Sequence, residues 1–367
     1  MRIFSLILSV SLMGLIGCSE KKEVKKEFQL FVGTYTDGDS EGIYKFTFDG
    51  STGELTNKNL AAVLPNPSFI KISKDKKNLY AVQETADYDS LGGGVTAFKL
   101  KDGKLELLNS MGTAGKHPCH VALSGNGYLA ASNYSGGNVA VFKLRESGSL
   151  VLSSQIIDHK ILDTTKTSHA HMAKFRGNDL FVADLGLDAL KRYSNLNHFF
   201  ASSEQATLNL AEGAGPRHFT FADDGKFLYV INELNSTITV FKQKMDGSFK
   251  EIETQSTLDA AFEGKSYCAD VHLSPDGKFL YGSNRGENTI VIFEVHPNSG
   301  KLSLVGRESV RGDWPRNFAL DPSGNFLLVA NQRSNNITIY KRDIEKGTLE
   351  FLNELQLASP VCLEFLD

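Results

Sequence analysis

One grammar recurs along the whole chain, and a chain that repeats itself must be read as stacked units before any element is assigned. GPRHFTFADDGKFLYVINE, from Gly215, aligns with WPRNFALDPSGNFLLVANQ, from Trp314. NPSFIKISKDKKNLYAVQE, HPCHVALSGNGYLAASNY and SYCADVHLSPDGKFLYGSNR follow the same pattern, and HAHMAKFRGNDLFVADL fits it with a turn two residues shorter. The anchor column is Pro67, Pro118, Ala170, Pro216, Cys268, Pro315 and Pro360, at spacings of 51, 52, 46, 52, 47 and 45 residues. Each unit reads as a short strand, a polar turn with Gly, a second strand ending in Asn or Asp, an alternating third strand such as Thr237 to Phe241, and a fourth strand after another Gly turn. Four strands per unit, seven units and no helical periodicity predict an all-β fold, a seven-bladed β-propeller of four-stranded antiparallel blades. The last unit, SPVCLEFLD, ends after its first strand, while FQLFVGTY near the N-terminus matches a second strand. Residues 359–367 and 28–64 are therefore predicted to share one blade and close the ring, which removes the open edges. Residues 28–367 form a single domain on this reading, although 367 residues would by length alone suggest two.

Residues 1–17, MRIFSLILSVSLMGLIG, have the charge, short apolar core and small residues of a secretory signal. Leu15-Ile16-Gly17-Cys18 resembles a bacterial lipobox, which makes Cys18 the expected lipidation site and residues 18–27 a polar tether. A lipid-anchored protein of the bacterial cell envelope is implied, with membrane contact only through that anchor; Ser19 after Cys18 leans towards the outer membrane. The other cysteines, Cys119, Cys268 and Cys362, fall in blades that share no neighbour, so no disulfide is expected. A net charge of -4 gives no footprint for nucleic acid. No HExxH, CxxC or EF-hand spacing occurs, so neither a metal nor a cofactor is indicated. The G-x-S-x-G string at Gly38 to Gly42 falls in a turn between strands with no helix after it, which disfavours a nucleophile elbow.

The repeat also separates packing from chemistry. Three and five residues past each anchor the column is almost wholly apolar, as between-blade packing requires. One residue past it stand Ser68, Cys119, His171, Arg217, Ala269, Arg316 and Val361, at one mouth of the central channel. After the Asn-like column at the end of the second strand come Glu84, Tyr134, Leu185, Glu233, Arg285 and Gln332, at the same mouth. His171, Arg217, Glu233 and Arg285 thus converge from adjacent blades, as an anion site beside a proton-transfer pair or as a purely structural ion-pair cluster. His169, His218, His120, Arg316, Asn284 and Gln332 are expected around them as substrate contacts. Asp184 and Asp188 are expected to fix a blade turn.

VGTYTDGDSEGIYKF, SHAHMAKF, GAGPRHFTF, VINELNSTITVF and SPDGKFLYGSNR, in this order, resemble the seven-bladed lactonase family, which includes propeller-type 6-phosphogluconolactonase and carboxy-muconate cyclase. The resemblance spans about residues 28–367 and implies a lactone hydrolase acting on a small sugar-acid lactone; a monomer without cofactor is expected. It implies that His171, Arg217, Glu233 and Arg285 are the active residues, the same four that the blade register selects. Which of Glu233 and His171 is the base stays open, and a lactone-forming cycloisomerase and a non-enzymatic binding propeller are the alternative readings. The envelope signal does not suit a cytosolic phosphorylated metabolite and leaves the particular lactone open.

Overall fold

The computed structural model describes residues 27–366; the expected signal over residues 1–17, the expected lipidation site Cys18 and all but Glu27 of the expected tether lie outside the described residues. Seven four-stranded antiparallel sheets are formed, and no helix occurs among the described residues. Numbered by their innermost strands, blades 1 to 6 begin at Ile70–Ile72, Pro118–Leu123, Ala170–Arg176, Pro216–Phe221, Tyr267–Leu273 and Pro315–Leu320. Blade 7 is composite: Pro360–Leu366 is its innermost strand and pairs with Glu27–Thr34, which continues into Gly42–Asp49 and Leu55–Val63. The ring closes as the repeat predicts.

Burial follows position in the blade. Second strands such as Phe227–Asn232 and Phe326–Asn331 are buried at every residue, because sheets cover both faces. Outermost strands such as Leu349–Gln356 alternate partly buried and exposed side chains, and their polar residues protect the blade edge. The hairpins between first and second strands follow from an Asp and a Gly. In blade 4, Asp224 accepts from the Lys226 N–H at 2.9 Å and Gly225 takes a φ of 70°, a left-handed conformation that suits glycine.

Seven apolar clusters fill the seven interfaces between blades. The column three past each anchor lies wholly within them, from Ile70 at 0% exposure to Leu363 at 4%. The column five past is partly buried in six blades, nearer the far end of the channel. Polar latches add direction. The Tyr80 hydroxyl of blade 1 donates to the Gly148 carbonyl in the outer turn of blade 2 at 2.8 Å, and Tyr281 of blade 5 does the same to Gly347 of blade 6. Cys119, Cys268 and Cys362 are free and buried.

Two departures from the repeat bear on the channel mouth. The inner strand of blade 1 is three residues long, because the Ser68 N–H folds back onto the Asn66 carbonyl (2.7 Å) and delays the ladder. In the other six blades the pairing of the inner strand shifts register beside the anchor, as between Pro216 and His218 or Pro315 and Asn317. Such a bulge re-aims side chains. Successive residues of a strand normally face opposite ways, yet Arg217 and His218 both line the channel, as do Arg316 and Asn317.

Candidate active site

The column one past the anchor meets at one mouth of the channel. Ser68, Cys119, His171, Arg217, Arg316 and Val361 line a single narrow space there, together with Phe69, His218 and Asn317 from one residue deeper.

Arg217 is placed by the turn before it. Gly215 takes a φ of 61°, where a Cβ would lie 2.5 Å from Leu234. Its N–H donates to Asp188 of blade 3 at 2.9 Å, and its carbonyl accepts from the Glu233 N–H at 2.7 Å. Asp188 is thus a turn clamp, as expected, and it sets the two ends that carry Arg217 and Glu233. Asp184 has the same kind of role, accepting from His159, Ser168 and the His169 N–H.

Glu233 bridges two guanidinium groups through one oxygen: Oε2 lies 3.0 Å from Arg217 Nε and 2.8 Å from Arg285 Nη2. The Arg217 Nε–H is not aimed along its line to Glu233, so that contact is an ion pair without a directed hydrogen bond. Arg217 also donates to the Ala269 carbonyl (2.5 Å), and Arg285 to those of Tyr267 and Cys268 (3.2 and 3.1 Å). Burial would raise the Glu233 pKa, but Arg285 and Arg217 outweigh it and hold the carboxyl below its ordinary value. Burial, Arg285 and Arg316 push Arg217 down to about 10, which leaves it protonated at neutral pH.

His171 is buried beside this cluster, its ring 5.1 Å from His218 and 5.8 Å from Tyr134. Its Nδ1 is buried with no hydrogen-bond partner. Burial, then Arg217 and His218, hold its pKa well below the usual histidine value, so the imidazole is neutral.

The remaining expected contacts divide. Arg316 is at the mouth, its guanidinium 5.3 Å over the Tyr35 ring. His169 stacks on Tyr134 and points its Nδ1 at the Tyr134 carbonyl, 3.1 Å away. Gln332 follows the second strand of blade 6, its Oε1 buried without a partner. His120 packs against Phe69 with ring centroids 4.0 Å apart and planes tilted by 35°, and does not line the narrow space. His218 lies below Arg217, with Nδ1 donating to Asp270 at 2.7 Å. Asn284 is the correction: fully buried, it donates to the Thr257 carbonyl, Glu287 and Thr289, and braces blade 5 rather than facing substrate.

Several residues at the mouth were not singled out from the sequence. Glu84 occupies the same column as Glu233 and accepts from the Tyr35 hydroxyl at 2.8 Å and from the Ser68 hydroxyl. Trp314 carries Arg285 at 5.1 Å and Arg333 at 3.4 Å from its ring. Asp270 is a buried carboxylate beneath the mouth, bonded to His218, His272 and Asn317. Among the described residues, no group of three or more His, Cys, Asp or Glu side chains is placed to hold a metal ion.

The family described as "Lactonase, 7-bladed beta-propeller" matches residues 29–365. The chain belongs to the seven-bladed β-propeller lactonases. This lactonase is 36% identical over 346 residues to a 6-phosphogluconolactonase of Bacillus subtilis, covering 92% of this chain and 97% of that one. A 6-phosphogluconolactonase of Formosa agariphila is 37% identical, with 88% and 95% covered. Among solved structures, the periplasmic gluconolactonase of Pseudomonas aeruginosa superposes on the lactonase with a TM-score of 0.87 at 34% identity, covering 93% of this chain and 99% of that one.

Proposed function

We propose that this lactonase opens the ring ester of a sugar-acid lactone with water, His171 carrying the proton and Arg217 and Arg285 stabilising the oxyanion. The observation that supports this reading is the pairing, at one mouth, of a neutral imidazole lacking a partner on Nδ1 with an Arg-Glu-Arg cluster. Water adds to the lactone carbonyl, His171 takes its proton, and the carbonyl electron pair moves onto oxygen beside the guanidinium groups. Collapse breaks the ring C–O bond, and His171 returns the proton to the departing alkoxide, leaving the open hydroxy acid. Glu233 is the weaker candidate for the base, because protonating it would strip two buried guanidinium groups of their counter-charge. Its role is to hold them in place. Cys119 is at hand but is no nucleophile, since burial drives its thiol pKa far up.

The relatives' names indicate sugar-acid lactones as the substrate class. The signal-like residues 1–17 and Cys18 support lipid anchoring in the envelope, and the Pseudomonas relative is named as periplasmic. All four residues come from one chain, which suits a monomer. The direct test is pH-stat hydrolysis of a panel of sugar-acid lactones by the wild-type protein and Arg217→Ala. The substitution is expected to lower kcat/KM by more than about a hundredfold. No turnover of any lactone by the wild type, or near-full activity of the variant, would overturn the proposal.

A further inference from the structure

The three arginines of the mouth are not equivalent. Arg217 and Arg285 share the Glu233 carboxylate and donate to backbone carbonyls. Arg316 makes no hydrogen bond and has no carboxylate within 4.0 Å among the described residues, yet it lines the same space. Its one close partner is the Tyr35 ring, which supports the flat face of the guanidinium and leaves the donor edge uncommitted. Tyr35 is itself fixed, its hydroxyl donating to Glu84, which also takes the Ser68 hydroxyl. Glu233 is shared by Arg217 and Arg285, Glu84 is taken up by Tyr35 and Ser68, and Asp270 by His218, His272 and Asn317, so of the three guanidinium groups Arg316 is the one with no carboxylate in direct contact.

We infer that Arg316, held by Tyr35, is the specificity-determining receptor for an anionic substituent on the lactone, a phosphate or a carboxylate remote from the reacting carbonyl. The assignment rests on the proposed lactone hydrolysis and adds a division of labour. Arg217 and Arg285 serve the oxyanion, whereas Arg316 reads the far end of the substrate. Both anions match a forked donor set, so the same site admits either.

The experiment compares wild type, Arg316→Gln and Arg316→Lys on glucono-δ-lactone (neutral), 6-phosphogluconolactone and glucarolactone, which carries a carboxylate. Arg316→Gln is expected to cut kcat/KM on at least one anionic lactone about ten- to a hundredfold more than on the neutral one, chiefly through KM. Arg316→Lys should recover part of that loss. The anionic lactone that is affected identifies the substituent. Equal losses on all three, or none, would overturn the inference. Calorimetric binding of glucose 6-phosphate and glucuronate, each against glucose, separates this outcome from failure of the lactonase reading. A protein that turns over no lactone but loses preference for either anionic sugar in Arg316→Gln supports Arg316 as the receptor. One whose binding is unchanged does not. Thermal melting of both variants checks that the ring is intact.

Discussion

His171 sits among positive groups, Arg217 and Arg316, and beside His218. In the proposed reaction its neutral form is the working one, so activity is expected above its pKa and is lost as pH falls through it. Because that pKa is held well below 6.5, kcat/KM should stay level from about pH 8 to about pH 6 and fall only on further acidification. A pH-rate profile whose acidic limb already falls at the ordinary histidine value would refute a buried imidazole as the proton carrier. The convergence of these four residues was legible because the repeat supplies its own control: two columns with scattered charges stand out beside columns that are apolar in every blade. Asp270 escaped notice for a geometric reason. It stands two residues past an anchor, in the column of His120 and His218, and the bulge that lets side chains of this column share the channel with their neighbours is invisible in a list of residue types. Tyr35 lies in the composite blade, where the register is fixed only once the chain ends have been paired.

At the scale of the blade, the repeated tyrosines of the second strand look alike in sequence and differ in their bonds. Tyr80 and Tyr281 donate to a glycine carbonyl of the next blade, and the Tyr281 oxygen also accepts from Arg342 Nε at 2.9 Å. Tyr229 is equally buried, but its hydroxyl has no partner. A made hydrogen bond contributes about 1 kcal/mol, and a buried group left without one costs about 1–3 kcal/mol. Tyr80→Phe should therefore destabilise by about 1 kcal/mol and Tyr281→Phe by more, since it leaves the Arg342 guanidinium short of an acceptor. Tyr229→Phe should be neutral or stabilising. Urea midpoints measured side by side decide it, and equal losses at all three positions would contradict the latch. The periodicity exposed the blades well; which latches are closed depends on how the outer turn of a neighbouring blade falls, and that is set by packing between units.

The molecule as a whole depends on one junction. Pro360–Leu366 pairs with Glu27–Thr34 from Gln29 opposite Leu366 to Thr34 opposite Pro360. Removing residues 359–367 would bare the inner edge of blade 7 and two of the seven apolar interfaces, those holding Leu363 and Cys362. The shortened chain is expected to lose its cooperative thermal transition and to elute as aggregate, measured by circular dichroism and size-exclusion chromatography. A cooperative melt at the wild-type temperature would show that the junction is dispensable. The direction of that pairing also orients the molecule. Thr34 and Pro360 lie at the mouth, beside Tyr35, so Glu27 and Leu366 lie together at the opposite end of the channel. The two strands that close the ring thus end on the underside, and an attachment made at Glu27 would hold the mouth on the face turned away from it.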